Sequence, residues 1–247
     1  MAQPKANPTA AMLVIGDEIL SGRTRDANMH HLAGRLTAMG VDLKEVRVVS
    51  DEQNSIVDAV RSLAGNYTHV FTSGGIGPTH DDITADSVAA AFGAAIDIRH
   101  DAKVLLTAHY DRQGVALNAA RLRMARIPDG ANLIENPISA APGFSLENVH
   151  VMAGVPAIFE AMLASLLPRL TGGRPLVSKS IRVDLPEGEI AGPLGDVAER
   201  FPNLSLGSYP FIQNGVFGAN VVIRGNERSD VDAATQALQL AFGDKAQ

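Results

Sequence analysis

The chain has no cysteine and no tryptophan. Without cysteine there are no disulfides, no thiolate metal sites and no thiol nucleophile. That absence also fits a reducing compartment, so a cytoplasmic location is expected. Aromatic residues make up only 4% of the 247 positions, which leaves little with which to stack the bases of a single strand. An excess of positive charge is missing as well. Lys and Arg number 21 against 27 Asp and Glu, for a net charge of -6. Neither nucleic acid nor an anionic membrane is therefore an expected partner. No apolar run approaches the roughly 20 residues of a membrane span. The opening "MAQPKANPTA" is polar and does not read as a signal peptide; residues 1–8 are expected to be a loose tail.

What is present is a globular composition, 46% hydrophobic, long enough to bury a real core. The length suits one large domain or one medium and one small. "AAMLVIG" (residues 10–16) is a short continuous apolar run, as in a strand buried on both faces. "DANMHHLAGRLTAMG" follows, with Met29, Leu32, Leu36 and Met39 at helical spacing, Asp26 placed as a cap and Gly40 as a stop. A strand at residues 41–50, a helix ending at Gly65, a strand "THVFT" and a helix closed by Gly93 continue the alternation. Two helical segments are expected within residues 101–125, then the strand "VHVMAG" and an apolar helix led by Pro156. Alternating strands and helices predict a three-layer αβα domain with a mostly parallel sheet over residues 9–172. "TGGRP" reads as a linker. Residues 176–247 show strand, helix, strand, strand, helix, which predicts a small α+β domain of ferredoxin-like order.

Chemistry concentrates where strands end. Asp17 and Glu18 follow the first strand, Asp51 and Glu52 the second, and Asp81 and Asp82 the third. Ligands of open α/β sheets bind outside those strand ends. The third connection, "TSGGIGPTHDDIT", offers Gly74, Gly75 and Gly77 as bare backbone before a helix N-terminus, a setting that suits phosphate. Two adjacent carboxylates would repel that phosphate unless a cation lies between. A hard divalent ion is commonly held by one or two carboxylates and substrate phosphates. Alternatively one aspartate serves as a general base, or the acids only cap the helix. The loop is neither a dinucleotide fingerprint nor a Walker loop. His30 and His31 are adjacent on a helix and do not share a ligand easily, and His80 borders the loop.

"IGDEILSGRTRDANMHHLAGRLTAMG", "VVSDEQNSIVDAV", "TSGGIGPTHDDITADSVAAAFG", "RMARIPDGANLIENPISAAPGF" and "VHVMAGVPAIFEAM" occur in that order over about residues 11–170. Together they resemble the MoaB/Mog-type molybdopterin-binding fold. Within it they are most similar to the competence/damage-inducible protein A (CinA) family and the N-terminal domain of eukaryotic FAD synthases. The resemblance implies a site for a pterin or a nucleotide pyrophosphate with a divalent metal, Mg²⁺ first, Mn²⁺ or Co²⁺ next. It implies catalytic roles for Asp51 and Asp82, with Asp81 and Asp82 on the metal. It implies substrate contacts from Gly16, Asp17, Glu18, Ser21 and Asn28 on one side. On the other stand Ser73, Gly74, Gly75, Gly77, Pro78, Thr79 and Thr84. "GPTHDD" is closer to the pyrophosphate-cleaving relatives than to Mog, which favours hydrolysis of an ADP-ribose or FAD type of substrate. The alternatives are adenylyl transfer in molybdenum cofactor synthesis and a non-catalytic binding module. Relatives assemble as oligomers, so a homodimer or homotrimer is expected. Ser139 and Ala140 stand where relatives carry Gly-Thr, and Ile158 where they carry Glu. The deamidase segment of full-length CinA proteins has no counterpart in these residues, and no deamidase activity is carried over.

Overall fold

The computed structural model describes residues 6–213 and 215–246, residue 216 by its backbone alone. Residues 1–5 of the expected tail lie outside the described residues. Asn7 and Pro8 are tied to the domain: Asn7 Nδ2 donates to Asp42 Oδ1 at 3.4 Å, and the Asp42 amide donates to the Pro8 carbonyl at 2.9 Å. A loose tail therefore does not extend to those two residues. The chain divides between Gly173 and Arg174 into two compact units.

Unit 1 opens with β1 (Thr9–Ile15), α1 (Asp17–Leu20), α2 (Asn28–Ala38), β2 (Asp42–Val49), α3 (Gln53–Asn66) and β3 (His69–Ser73). It continues with α4 (Thr84–Phe92), β4 (Ile96–Ile98), α5 (His100–Arg112), α6 (Ala119–Leu122) and β5 (Arg126–Pro128). It closes with β6 (Asn132–Ile134), β7 (Gly143–Leu146), β8 (Val149–Met152) and α7 (Pro156–Leu166). The main sheet runs β2-β1-β3-β8-β7-β6. Its first four strands are parallel; β7 pairs antiparallel with β8 and β6 antiparallel with β7 at the edge. β4 and β5 form a separate antiparallel ribbon. Strands β4 to β7 escape a sequence reading, because three or four residues are too few to show a period.

The unbroken apolar run of β1 has a simple cause: both faces are covered. Ala11, Leu13 and Ile15 pack with Val60, Leu63, Val88 and Leu106 from α3, α4 and α5. Ala10, Met12 and Val14 pack with Leu32, Leu36, Phe159 and Leu163 from α2 and α7. This is the three-layer arrangement, and full burial of each Leu contributes roughly 2 kcal/mol. The Met29 amide donates to Asp26 Oδ2 at 3.0 Å, so Asp26 caps α2. Gly93 ends α4 at φ 68°. Because the four parallel strands point one way, the segments after β1, β2, β3 and β8 meet at one edge of the sheet.

Unit 2 comprises β9 (Val177–Val183), α8 (Glu187–Arg200), β10 (Ser205–Gln213), β11 (Val216–Gly225) and α9 (Arg228–Phe242). Its sheet runs β10-β11-β9 with β11 antiparallel to both neighbours. The split β-α-β order expected for residues 176–247 is present, over a core of Ile181, Ile190, Val221, Val231 and Leu238. No helix among the described residues is long and apolar enough to cross a membrane.

Candidate active site

The loop after β3 is shaped by close backbone contacts. A Cβ on Gly74, at φ 108°, would stand 2.2 Å from the Ile15 carbonyl oxygen. One on Gly75, at φ 66°, would stand 2.2 Å from Thr84 Oγ1. Both positions therefore require glycine. Thr84 is buried and holds the loop twice, its amide donating to the Gly75 carbonyl and its hydroxyl to the Gly74 carbonyl, each at 3.0 Å. Gly74→Ala is expected to cost at least about 2 kcal/mol of unfolding free energy, from the left-handed φ together with the carbonyl clash. Urea denaturation measures this, and an unchanged midpoint would contradict the account of the loop.

Asp82 closes the same loop. Thr79 donates to its Oδ2 from the amide at 2.8 Å and from the hydroxyl, and the Asp82 amide donates to the Thr79 carbonyl at 3.3 Å. One carboxylate oxygen of Asp82 is thus engaged in holding the turn. Arg123 Nη2 reaches the Asp82 carbonyl at 3.4 Å from across the sheet edge.

The other acids gather beside it. The Asp17 amide donates to Asp51 Oδ2 at 2.9 Å, which ties the β1 and β2 loops together. Burial pushes the Asp51 carboxyl above its ordinary range, and the charges of Asp17, Glu18 and Asp81 add to that push. Asp81 is held below the ordinary range, first by the Thr79 hydroxyl. Three sequence-distant loops therefore bring four carboxylates into one field. Among the described residues no group of three or more His, Asp or Glu side chains is placed to hold a metal ion. Any ion bound here would therefore have to take most of its shell from phosphate and water, as Mg²⁺ commonly does.

A cleft of about 530 Å³ lies against the glycine loop. Glu18, Gly74, Gly75, Gly77 and Pro78 of the expected substrate contacts line it, as does Asp82, expected in catalysis and on the metal. Its opposite wall is Gly154 and the first turn of α7, with Val155, Pro156 and Ile158. Gly16, Asn28, Ser73 and Thr84 are buried. Asn28 braces two cleft loops, Nδ2 donating to Ser73 Oγ at 2.7 Å and to the Gly154 carbonyl at 2.8 Å. Asp17, Asp51 and Asp81 do not line the cleft, although they act on Glu18's side of it, and Ser21 and Thr79 are exposed outside its lining.

Sequence reasoning missed Asn136, Met124 and Gly154 as cleft residues. Asn136 is nearly buried and organises its turn, donating to Ser139 Oγ at 2.7 Å and the Ala141 carbonyl at 2.9 Å. The available signal was the Asn-Pro pair in "NPISAAPG". Ser139 and Ile158, two of the departures from the relatives' pattern, both face the cleft, while Ala140 adopts φ 59° beside it.

Comparison with known proteins gives this geometry a family. A "Probable FAD synthase" of Caenorhabditis briggsae is 33% identical over 96% of the chain, which spans only 50% of that protein's length. A protein of Archaeoglobus fulgidus is 30% identical and aligns over 95% of the chain and 98% of its own length. Among solved structures, CinA of Thermoplasma acidophilum, described as of unknown function, is 33% identical with a TM-score of 0.61, and 99% of it is covered by 67% of this chain. Residues 175–246 match the family described as the FAD synthase middle domain. Residues 11–172 match the family described as the probable molybdopterin binding domain, and the chain belongs to that family.

Proposed function

We propose that unit 1 is a divalent-metal-dependent hydrolase of nucleotide pyrophosphates. The observation that carries this reading is the meeting of Asp17, Glu18, Asp51 and Asp81 beside a cleft walled by the bare backbone of Gly74, Gly75 and Gly77. Backbone amides and the N-terminal end of α7 favour an anionic ligand. The carboxylates favour the cation that accompanies a pyrophosphate. When bound, the ion neutralises phosphate charge and polarises the phosphoryl group.

In this reading Asp51 is the base. Its raised pKa brings it closer to the range in which a carboxylate accepts a proton usefully at neutral pH. A water oxygen forms the new P–O bond, the bridging P–O bond of the pyrophosphate breaks, and the water proton passes to Asp51. Asp82 keeps the glycine loop in register with its Thr79 contacts while presenting its other oxygen. Names of the nematode relatives concern FAD, which contains a pyrophosphate, and this supports including it as a substrate.

A second reading is a pterin- or nucleotide-binding module without turnover. It is favoured by Ile158 on the cleft wall and by the engagement of Asp82 with Thr79. The deciding experiment is product release from ADP-ribose, FAD, NAD and ATP with Mg²⁺, Mn²⁺ or Co²⁺, on wild type beside Asp82→Asn. Cleavage to a mononucleotide by the wild type, lost in the variant, is the expected result. Binding of these ligands with no cleavage by the wild type would establish the second reading. Transfer of AMP from ATP to molybdopterin would replace hydrolysis by adenylyl transfer.

A further inference from the structure

The sheet of unit 2 has a face that the cleft does not explain. Register and burial assign its two sides. Ala219, Val221 and Ile223 are buried in the core with Val183 and Ile181. Side chains alternate along a strand, so the neighbours of these residues point to the opposite face.

That face is organised in rows across the three strands. At one end Arg224 pairs with Ser205 on one side and Ser178 on the other. All three are exposed, and the Arg224 guanidinium makes no hydrogen bond or ion pair among the described residues. The next row is low: Val222 between Gly207 and Ser180. The row after that places Asn220 between Tyr209 and Arg182. Tyr209 is 51% exposed, and its ring edge lies 3.6 Å from where a Cβ on Gly207 would stand, so the ring leans over the low row. The Arg182 guanidinium is spent within the face. It stacks 4.4 Å from the Phe211 ring centroid and donates to Asp184, just beyond β9, at 2.8 Å.

Charge on this face runs against the rest of the molecule. The chain carries 27 acidic residues and a net charge of -6, yet none of the three rows contains a carboxylate, and Asp184 beside the last of them is taken up by Arg182. An unpartnered arginine between two serine hydroxyls suits a phosphate. An exposed tyrosine beside an asparagine amide suits a planar ring with polar edges. Four residues separate the rows of Arg224 and Asn220, about 14 Å along the strand, on the scale of a nucleotide with one or two phosphates. A single free arginine is too few cations for a strand of nucleic acid, whose binding is built on many phosphate contacts.

We propose that this face binds a mononucleotide, with its ring on Tyr209 and Asn220 and its terminal phosphate on Arg224, Ser178 and Ser205. The site is separate from the cleft of unit 1 and does not depend on the activity proposed there. The test is a titration of the isotope-labelled full chain with ADP, and in parallel with FMN, followed by amide resonances. Shifts are expected at Gly207, Asn220 and Val222, with adenosine and riboflavin, which lack phosphate, binding about tenfold more weakly. Whichever nucleotide is bound more tightly identifies the ring the face prefers. Arg224→Glu and Tyr209→Ser, both at exposed positions, are each expected to weaken those shifts about tenfold or more. Shifts at Gly75 and Gly77 report the cleft independently and are expected to survive both variants. Still resonances at Gly207, Asn220 and Val222 under millimolar nucleotide, or shifts that neither variant weakens, would overturn the proposal.

Discussion

Asp51→Asn is expected to lower pyrophosphate cleavage by about 10²- to 10⁴-fold, the range lost when a positioned general base is removed. The same substitution is expected to leave the fold as stable as before or slightly more so at pH 7. The second half follows from the sign of the Asp51 shift. Its carboxyl is pushed up in the folded state, first by burial and then by Asp17, Glu18 and Asp81. A group of this kind binds its proton more tightly when folded. Stability therefore falls as pH rises from the unfolded pKa through the folded one, and the whole cost is present at neutral pH. Asparagine removes that cost while its side-chain oxygen still accepts from the Asp17 amide. Steady-state rates with ADP-ribose and FAD, paired with thermal unfolding at pH 7, measure both effects. A variant with unaltered rate would remove Asp51 from the chemistry. One that loses activity together with several degrees of melting temperature would make its role structural.

The second large effect concerns acid. His150 sits in β8 with its Nε2 3.3 Å from His69 Nδ1 and its Nδ1 2.9 Å from Ser145 Oγ. Burial, then the neighbouring His69 and Arg169, pull its pKa down from 6.5 to about 3. His69 is pulled down as well, mainly by burial. The unfolded chain takes up a proton near pH 6.5 that the folded chain refuses. Stability is thus complete above pH 6.5 and is lost as pH falls from there toward 3. Each pH unit in that window removes about 1.4 kcal/mol, so His150 alone accounts for roughly 3 kcal/mol of loss by pH 4. Urea unfolding at pH 7 and pH 4 on wild type and His150→Gln measures it. The variant is expected to show a pH difference smaller by that amount. Equal pH differences would mean that the buried imidazole is not held neutral.

Much of the fold was legible because its central elements are covered on both sides. The run "AAMLVI" had to be a buried parallel strand, and the Asp26 cap and the Gly40 and Gly93 stops bounded two helices. The edge of the sheet was not legible. β6 and β7 have only three and four residues, and their directions are set by pairing, β7 antiparallel to β8 and β6 antiparallel to β7. The acids of the site could be read as a set because each follows a parallel strand, and strand order brings such segments together. What the sequence could not show is the division of labour within the set. Asp82 holds Thr79, whereas Asp51 carries the raised pKa. Asn136 and Gly154 lie far along the chain from the glycine loop and join the cleft only through β7 and β8.

In the proposed function the cleft takes a pyrophosphate through a cation held by the acidic group. Calorimetric titration of ADP-ribose into the full chain, with Mg²⁺ and then with a chelator in its place, tests it most directly. One site in unit 1 is expected, its affinity falling about tenfold or more when the ion is removed, the scale of losing one charge bridge in a half-buried site, with a weaker dependence on the ion in Asp81→Asn. Equal affinity with and without the ion would contradict it.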